Sequence, residues 1–132
     1  MAHQKNIRAL VLEKDREVTQ SISKILKRRS YGVVTTSEQK ETLNLFKESP
    51  YQLAIVGDST DGYSALESMK EIVMASPITC IILISDLPGE EIHEKAEGYG
   101  ILGHINRDIQ SKDLRPLLNS FEQIFNLSFS GQ

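Results

Sequence analysis

Along the chain, short apolar runs alternate with stretches in which apolar residues recur at helical spacing. The runs cover residues 7–12, 33–35, 53–56, 79–84 and 102–106. Those at 7–12 and 53–56 are expected to be strands buried on both faces of a sheet, 33–35 is expected to be an edge strand, and the length and β-branched residues of 79–84 favour a strand over a helix. Each run is followed by a stretch with the period of an amphipathic helix, and the last stretch carries Leu114, Leu118 and Phe121 on one face. The pattern predicts five strand–helix units in a row.

Polar and helix-breaking residues mark where the predicted helices begin and end. Asp15 stands where the first helix needs its N-cap. Thr36 and Gln39 have the spacing of a capping box before the second helix. We expect the pair 31–32, Tyr-Gly, to end the first helix. Pro116 lies about a turn inside the last predicted helix, which indicates either a later start or an irregular first turn.

The alternation of elements predicts the fold class. Strand–helix units joined by short loops form a parallel sheet with helices on both faces. Right-handed crossovers leave few topologies, and the flavodoxin-like order 2-1-3-4-5 suits a five-unit, three-layer α/β sandwich. A chain of 132 residues fits one domain. We therefore predict a single domain over residues 1–132, with a core at about 7–127 and short flexible ends.

The predicted topology also indicates where a functional site would lie. In open parallel sheets the working crevice opens beyond the carboxyl ends of the strands, near the point where strand order reverses. Four polar segments follow four of the strands at that edge: 13–15, 57–58, 85–86 and 107–108. We expect them to surround one depression.

Composition excludes several classes of protein. A net charge of −3 without a basic stripe argues against a nucleic-acid partner, and the short basic run 27–29 is explained as a solvated helix end. The single cysteine, Cys80, cannot form an intrachain disulfide and suits the cytoplasm. One cysteine and three scattered histidines make no metal cluster. Without a signal peptide or a membrane-spanning run, we expect a cytoplasmic protein with no membrane partner.

At this point the chain resembles the receiver domain of bacterial response regulators, from residue 7 to about residue 125. The segments that carry the resemblance are 9–15, 51–57, 82–85 and 104–107. The resemblance implies that Glu13 and Lys14 stand at an acidic pair, Gly57 at the phosphorylated aspartate, Ser85 at a hydroxyl and Arg107 at a lysine. Two-component signalling, and in some members a phosphorelay, is the function that the resemblance implies.

The departures from that pattern predict a degenerate, pseudo-receiver pocket. Gly57 has no carboxylate and cannot form an acyl phosphate. Lys14 removes one oxygen ligand of Mg²⁺ and repels the ion, and Arg107 offers a planar fork instead of a point charge. We therefore expect no catalytic residue, no cofactor, and lost or weak Mg²⁺ binding. Lys14 is expected to replace the charge of the metal by pairing with Glu13, Asp58 or Asp86.

The leading hypothesis is a phosphorylation-independent signalling module that is not an enzyme. The resemblance implies protein–protein contacts through the fourth helix, fifth strand and fifth helix, with another signalling protein, an output domain or a second copy. His104 stands where receivers hold an aromatic switch residue. The exposed candidates on this face are Glu90, His93, Glu94, His104 and Asp108. The residues after the last helix suggest a piece cut from a longer regulator.

Two alternatives remain open from the sequence. In the first, Asp58 is the acceptor of an active phosphorelay receiver, with Glu13 and Asp15 as partial metal ligands. Strand alternation argues against it, because consecutive side chains point to opposite faces, although a bulge could restore the direction. Otherwise Asp58 and Asp61 serve the turn through Asx hydrogen bonds. The second is a small flavodoxin-like ligand-binding protein, which the glycine-poor loop 13–16 disfavours.

Overall fold

The computed structural model describes residues 7–130, with side chains through residue 126. It contains one five-stranded sheet in the order β2-β1-β3-β4-β5, and all neighbouring strands run parallel. The strands are β1 (Arg8–Leu12), β2 (Gly32–Thr36), β3 (Leu53–Val56), β4 (Cys80–Ile84) and β5 (Gly103–Ile105). The helices are α1 (Arg16–Arg28), α2 (Gln39–Glu48), α3 (Ala65–Ala75), α4 (Gly89–Lys95) and α5 (Ser111–Ser130). The predicted fold class and strand order are confirmed. The flexible ends were expected before residue 7 and after about residue 127. Residues 1–6 and 131–132 lie outside the described residues, and 128–130 belong to α5.

The central strands are apolar throughout because their alternate residues serve two cores. Val11 and Ile55 join the core that α1 and α5 cover, whereas Leu10 and Val56 join the core beneath α3 and α4. All four side chains have no exposed area. Burial on both faces removes the polar alternation of a half-exposed strand, which is why these strands read as continuous apolar runs.

The start of α1 is as predicted, but its end is not. The Asp15 side chain accepts hydrogen bonds from the backbone N–H groups of Glu17 and Val18, which confirms its role as N-cap. The helix ends at Arg28, and Ser30 takes the left-handed conformation with φ of 67°. The predicted stop at 31–32 is therefore wrong, since Gly32 is already the first residue of β2.

The predicted capping box of α2 is also wrong. The N-cap is Glu38, and its side chain makes no capping hydrogen bond. Asp61, from the loop before α3, accepts from the backbone N–H of Gln39 at 2.9 Å and of Lys40 at 3.0 Å. Thr36 instead accepts from the N–H of Glu38. Local sequence spacing could not reveal a cap that is supplied by another loop.

The last helix accommodates Pro116 without ending at it. The helix begins at Ser111, and the Gln110 carbonyl accepts from both Asp113 and Leu114, at 3.0 and 3.3 Å. This three-centre bond makes the first turn irregular, which is one of the two expected solutions. Pro116 is exposed, so the carbonyl that lacks its N–H donor lies near solvent. Within residues 7–130, none of the helices combines the length and apolar character that crossing a bilayer requires.

Candidate functional site

Three loops, which follow β3, β4 and β5, meet at the carboxyl edge of the sheet and line one depression of about 380 Å³. The loop after β1, which was expected to share this depression, does not line it. The lining residues are Asp58, Ser64, Ala65, Leu66, Ser85, Asp86, Leu87 and Arg107. The structure therefore brings together Asp58, Ser85 and Arg107, as expected. Glu13 and Gly57 lie buried beside them.

The space around Gly57, and not its backbone conformation, disfavours a side chain at this position. Its φ is not positive, in contrast to that of Gly62. A Cβ atom at position 57 would overlap Oε1 of Glu13 and lie 3.1 Å from the Cδ atom of the same carboxyl group. It would also lie 3.3 Å from Cδ1 of Ile84. The Glu13 carboxyl group thus fills the volume that a side chain at position 57 would need.

Glu13 is a buried carboxyl group with one oxygen paired and one unpaired. Its Oε2 accepts from the backbone N–H of Asp15 at 2.8 Å and from the Arg107 guanidinium. Its Oε1 is buried and has no hydrogen-bond partner among the described residues. Burial raises the pKa of Glu13, while the Asp15 N–H and the positive charge of Arg107 oppose that rise. The nearby Asp58 and Asp15 carboxylates raise it further.

Arg107, in the loop after β5, contacts the loops after β1, β3 and β4. One guanidinium nitrogen, Nη2, binds Glu13, and the other, Nη1, lies 3.6 Å from Oδ2 of Asp58. The Arg107 backbone N–H donates to Oδ1 of Asp86 at 2.9 Å. A planar fork can face two carboxylates at once, which the single ammonium of a lysine does less well. Arg107 is therefore the cation that holds the site together.

The expectation that Lys14 would supply this charge is wrong. Glu13 points into the protein, whereas the next side chain, Lys14, points outward and is exposed. Its backbone N–H donates to the Asp58 carbonyl at 2.8 Å. Its ammonium group makes no ion pair with any residue from 7 to 126. Of the three carboxylates expected to bind it, Glu13 and Asp58 face the Arg107 guanidinium, and Asp86 accepts from the Arg107 backbone N–H.

Asp58 lies closer to the depression than strand alternation predicted. β3 ends at Val56, so the alternation stops before residue 58 and the loop backbone sets the direction of the side chain. Oδ1 accepts from the backbone N–H of Ala65 at 2.9 Å, at the start of α3. Oδ2 faces Arg107, and the side chain is 39% exposed. The expectation that Asp58 points away from the other site residues is corrected.

Ser85 lines the depression, and His104 lies just outside it. Ser85 Oγ accepts from the N–H of Leu87 at 3.2 Å, and the Ser85 N–H donates to the Ile105 carbonyl. The serine therefore orders the loop before α4. His104 is half-buried, and a Cβ atom on Gly89 would lie 3.7 Å from its ring. The histidine thus sits between β5 and the first turn of α4, outside the depression.

The donor set does not fit Mg²⁺. The Arg107 guanidinium occupies the space between the Glu13 and Asp58 carboxylates, where a cation shared by both would sit. Asp15 uses Oδ1 to cap α1, so it is held away from the depression. Among the described side chains, no group of three or more histidine, cysteine, aspartate or glutamate residues could hold a metal ion. Octahedral coordination needs several free oxygen donors, and here Glu13, Asp15 and Asp58 each already use at least one carboxylate oxygen within the protein.

Sequence reasoning predicted that Asp58, Ser85 and Arg107 lie together but missed the contact of Glu13 with the space at position 57. A signal was present, since a glutamate reaches one methylene further than an aspartate and a glycine leaves a side-chain volume empty. Reading Glu13 and Gly57 as a complementary pair would have predicted that the first fills the space of the second. The roles of Asp86 and Asp61 as acceptors for backbone N–H groups of other loops carry no comparable signal.

Comparisons with known proteins agree with this architecture. No protein-family model matches the chain. The curated relatives include the cell cycle response regulator CtrA of Brucella ovis and of Brucella abortus strain 2308. Each is 25% identical over 108 residues, which are 82% of this chain and 47% of the relative. The chain therefore spans about half the length of the curated relatives it matches.

Solved structures show the same fold at lower sequence identity. CheY4, a chemotaxis protein of Vibrio cholerae, has a TM-score of 0.78 and 17% identity, over 89% of this chain and 99% of that one. A response regulator receiver domain from Clostridium thermocellum has a TM-score of 0.78 and 20% identity, over 92% and 98%. A two-component response regulator from Clostridium difficile has a TM-score of 0.80 and 13% identity, over 92% and 99%. These likenesses show that the chain has the CheY-like, flavodoxin-type fold.

Proposed function

Starting from the receiver fold, we propose that this domain is a response-regulator receiver-like signalling module that works without phosphorylation. The observation that carries the proposal is the Glu13 carboxyl group in the volume of a side chain at position 57. An acyl phosphate needs a carboxylate at that position with room for the phosphoryl group. Here the carboxyl group is supplied from β1, is fully buried, and is paired with Arg107.

The charge balance supports the same proposal. In an active pocket a divalent cation would offset several carboxylates and the incoming phosphoryl group. In this pocket Arg107 offsets Glu13 and Asp58 without a metal. We propose that Mg²⁺ binds weakly or not at all and that the domain has no enzymatic activity. The module would then present one fixed surface to its partners, because no phosphoryl group arrives to shift a conformational equilibrium.

The proposed partner surface is formed by α4, β5 and α5. The charged candidates Glu90, Glu94 and Asp108 are exposed there, as is His93, and His104 is half-buried beside α4. We propose that this acidic face binds another signalling protein, an output domain or a second copy of the chain in the cytoplasm, and not nucleic acid or a membrane. Reversal of the charge at Glu90 and Glu94 should weaken such contacts while leaving the depression intact.

A second candidate function has one observation in its favour. Asp58 lies at the rim of the depression with Oδ2 facing Arg107, so an active receiver could use it as acceptor. Two contacts oppose this reading. Oδ1 of Asp58 accepts from Ala65 N–H at the start of α3, and Glu13 is held by Arg107 away from any shared metal. Phosphorylation at Asp58 would have to break both.

NMR titration separates the two functions. ¹⁵N-labelled chain is titrated with millimolar Mg²⁺ and then with beryllofluoride, which mimics a bound phosphoryl group. We expect no saturable shift around residues 13, 58 and 107. Saturable shifts that Asp58→Asn abolishes would establish Asp58 as the acceptor and overturn the proposal.

A matched variant shows that the assay can detect a working pocket. The substitutions Glu13→Asp, Lys14→Asp, Gly57→Asp and Arg107→Lys remove the carboxyl group that fills position 57 and restore three acidic side chains and a lysine. This variant is expected to bind Mg²⁺ and beryllofluoride, since the backbone of the fold is already that of a receiver. Each of the four substitutions made alone is expected to leave the chain unable to bind Mg²⁺ and beryllofluoride.

A further inference from the structure

A second concave surface lies away from the depression, between α1 and the edge strand β2. This α1–β2 groove has a volume of about 840 Å³. It is lined by Glu13, Lys14, Arg16, Thr19, Gln20, Ser23, Lys24, Lys27, Val33, Thr35, Thr36 and Ser37. The α1 members recur at intervals of three and four residues, so they form one continuous polar stripe along the helix. None of the functions proposed above uses this groove.

The groove concentrates positive charge on a chain that is acidic overall. Its lining contains four cations, Lys14, Arg16, Lys24 and Lys27, all exposed. The one carboxylate in the lining, Glu13, has no exposed side-chain area and is paired with Arg107. The net charge of the whole chain is −3. A local excess of positive charge on such a background selects a negatively charged ligand.

The backbone groups along the outer edge of β2 indicate which kind of ligand fits the groove. The Gly32 N–H donates to Ile7, and the Thr36 carbonyl accepts from Glu13, so the even-numbered residues of β2 face β1. Alternation along a strand then turns the N–H and C=O groups of Val33 and Thr35 away from the sheet. In residues 7–126 no backbone or side-chain group outside the ladder binds them. Both residues line the groove.

From these two features we infer that the α1–β2 groove binds an acidic, extended polypeptide segment, which adds a strand to the edge of β2. A polypeptide satisfies outward N–H and C=O groups, which neither a nucleic acid nor a lipid surface can do in register. Side chains of an added strand alternate between faces, so carboxylates at every second position would lie against the α1 stripe and meet Lys24 and Lys27. Apart from Glu13 and Lys14, the residues that line this groove do not belong to the site described above.

Fluorescence anisotropy with a defined peptide tests the inference. The probe is a dye-labelled peptide of alternating glutamate and valine, added to the full chain at low ionic strength. We expect saturable binding that weakens steeply with salt and is lost when a central valine of the peptide is replaced by proline. The double variant Lys24→Glu/Lys27→Glu should weaken binding at least about tenfold. The matched variant Lys47→Glu/Lys70→Glu, with the same charge change in the groove between α2 and α3, should bind like the natural chain.

Amide hydrogen exchange tests strand addition separately, because charge attraction alone would not protect particular backbone N–H groups of β2. The added strand should slow exchange at Val33 and Thr35, while Val34, already bonded to β1, changes little. Three outcomes overturn the inference: no binding at millimolar peptide, equal binding by the Lys24→Glu/Lys27→Glu variant, or no added protection at Val33 and Thr35. Tighter binding to duplex DNA or anionic vesicles than to the peptide would also overturn it.

Discussion

Position 57 has no side chain, and the Glu13 side chain is long enough to fill the space left there. The Glu13 carboxyl group lies where a Cβ at position 57 would be, one oxygen held by Arg107 and one left without a partner. A buried carboxylate is costly unless it is paired, so Arg107 becomes essential once Glu13 is buried. Two departures from the receiver pattern, at 57 and 107, are thereby linked through a third residue.

Removal of Arg107 tests how strongly this pair is coupled. Arg107→Met should lower the free energy of unfolding by about 2–3 kcal/mol, because the Glu13 carboxyl group would remain buried without a counter-charge. In the double variant Glu13→Gln/Arg107→Met the loss should be smaller than in Arg107→Met alone, because no charge is left unpaired. Urea unfolding of both variants and of Glu13→Gln completes a double-mutant cycle.

The matched control for this cycle is Arg115→Met, which removes an exposed cation from α5. No ion pair joins Arg115 to residues 7–126, so its loss should change the free energy of unfolding by less than about 0.5 kcal/mol. An Arg107→Met variant as stable as Arg115→Met would mean that Glu13 and Arg107 are not coupled.

The pKa of Glu13 makes a prediction with a definite sign. Burial raises this pKa above its ordinary value of 4.5, so in the window between the unfolded and folded values the native state binds more protons than the unfolded chain. The free energy of unfolding of the natural chain should therefore fall as the pH rises through that window. Glu13→Gln has no carboxyl group at this position and should not show this fall. The free energy of unfolding of the variant, minus that of the natural chain, should increase with pH and then level off.

Urea denaturation of both proteins over the acid-to-neutral range measures that difference, and the other carboxylates cancel because both proteins share them. A difference that decreases with rising pH would indicate a pKa lowered by Arg107 rather than raised by burial.

At the scale of elements, the loop between β3 and α3 serves more than its own helix. Ser64 and Glu67 form a reciprocal capping box at the start of α3. The preceding Asp61 reaches across to cap α2, and Asp58 accepts from Ala65 while facing Arg107. The loop that would carry a phosphoacceptor is thus bonded to two helices and to the loop after β5. These contacts favour a loop held in one arrangement.

The cap supplied by Asp61 gives a prediction at this scale. Asp61→Ala should lower the melting temperature by a few degrees, because two backbone N–H groups at the start of α2 lose their acceptor. Hydrogen bonds from Ser59, Gln39 and Lys40 lower the pKa of Asp61 to about 2. Its contribution is present above the unfolded value of 3.8 and is lost as the pH falls toward 2. The difference in melting temperature between the natural chain and Asp61→Ala should therefore shrink as the pH falls toward 2.

Glu38→Ala provides the comparison, since the Glu38 side chain stands at the N-cap of α2 without a capping hydrogen bond. Thermal melts followed by circular dichroism at neutral and acid pH compare the three proteins. Equal destabilisation by the two substitutions would show that α2 is not capped from the neighbouring loop.

At the scale of the whole molecule, the fold could be predicted from the sequence because the signals for it are repeated along the chain. Five apolar runs and five helical periods all indicate one parallel sheet, and an error at one helix end, such as Tyr31-Gly32, leaves the topology unchanged. The site depends on single contacts between residues far apart in the sequence. Glu13 and Arg107 are separated by 94 positions, and nothing local in either indicates the other. The location of the site was therefore predictable, but the identity of its bridging cation was not.

We propose that Glu13 and Arg107 leave this CheY-like fold without a usable phosphoacceptor. Intact-mass spectrometry after incubation with acetyl phosphate and Mg²⁺ tests it most directly, with the four-residue restored variant as the positive control. The account predicts an unmodified natural chain beside a restored variant that gains one phosphoryl group. Stoichiometric phosphorylation of the natural chain at an aspartate, lost in Asp58→Asn, would contradict it.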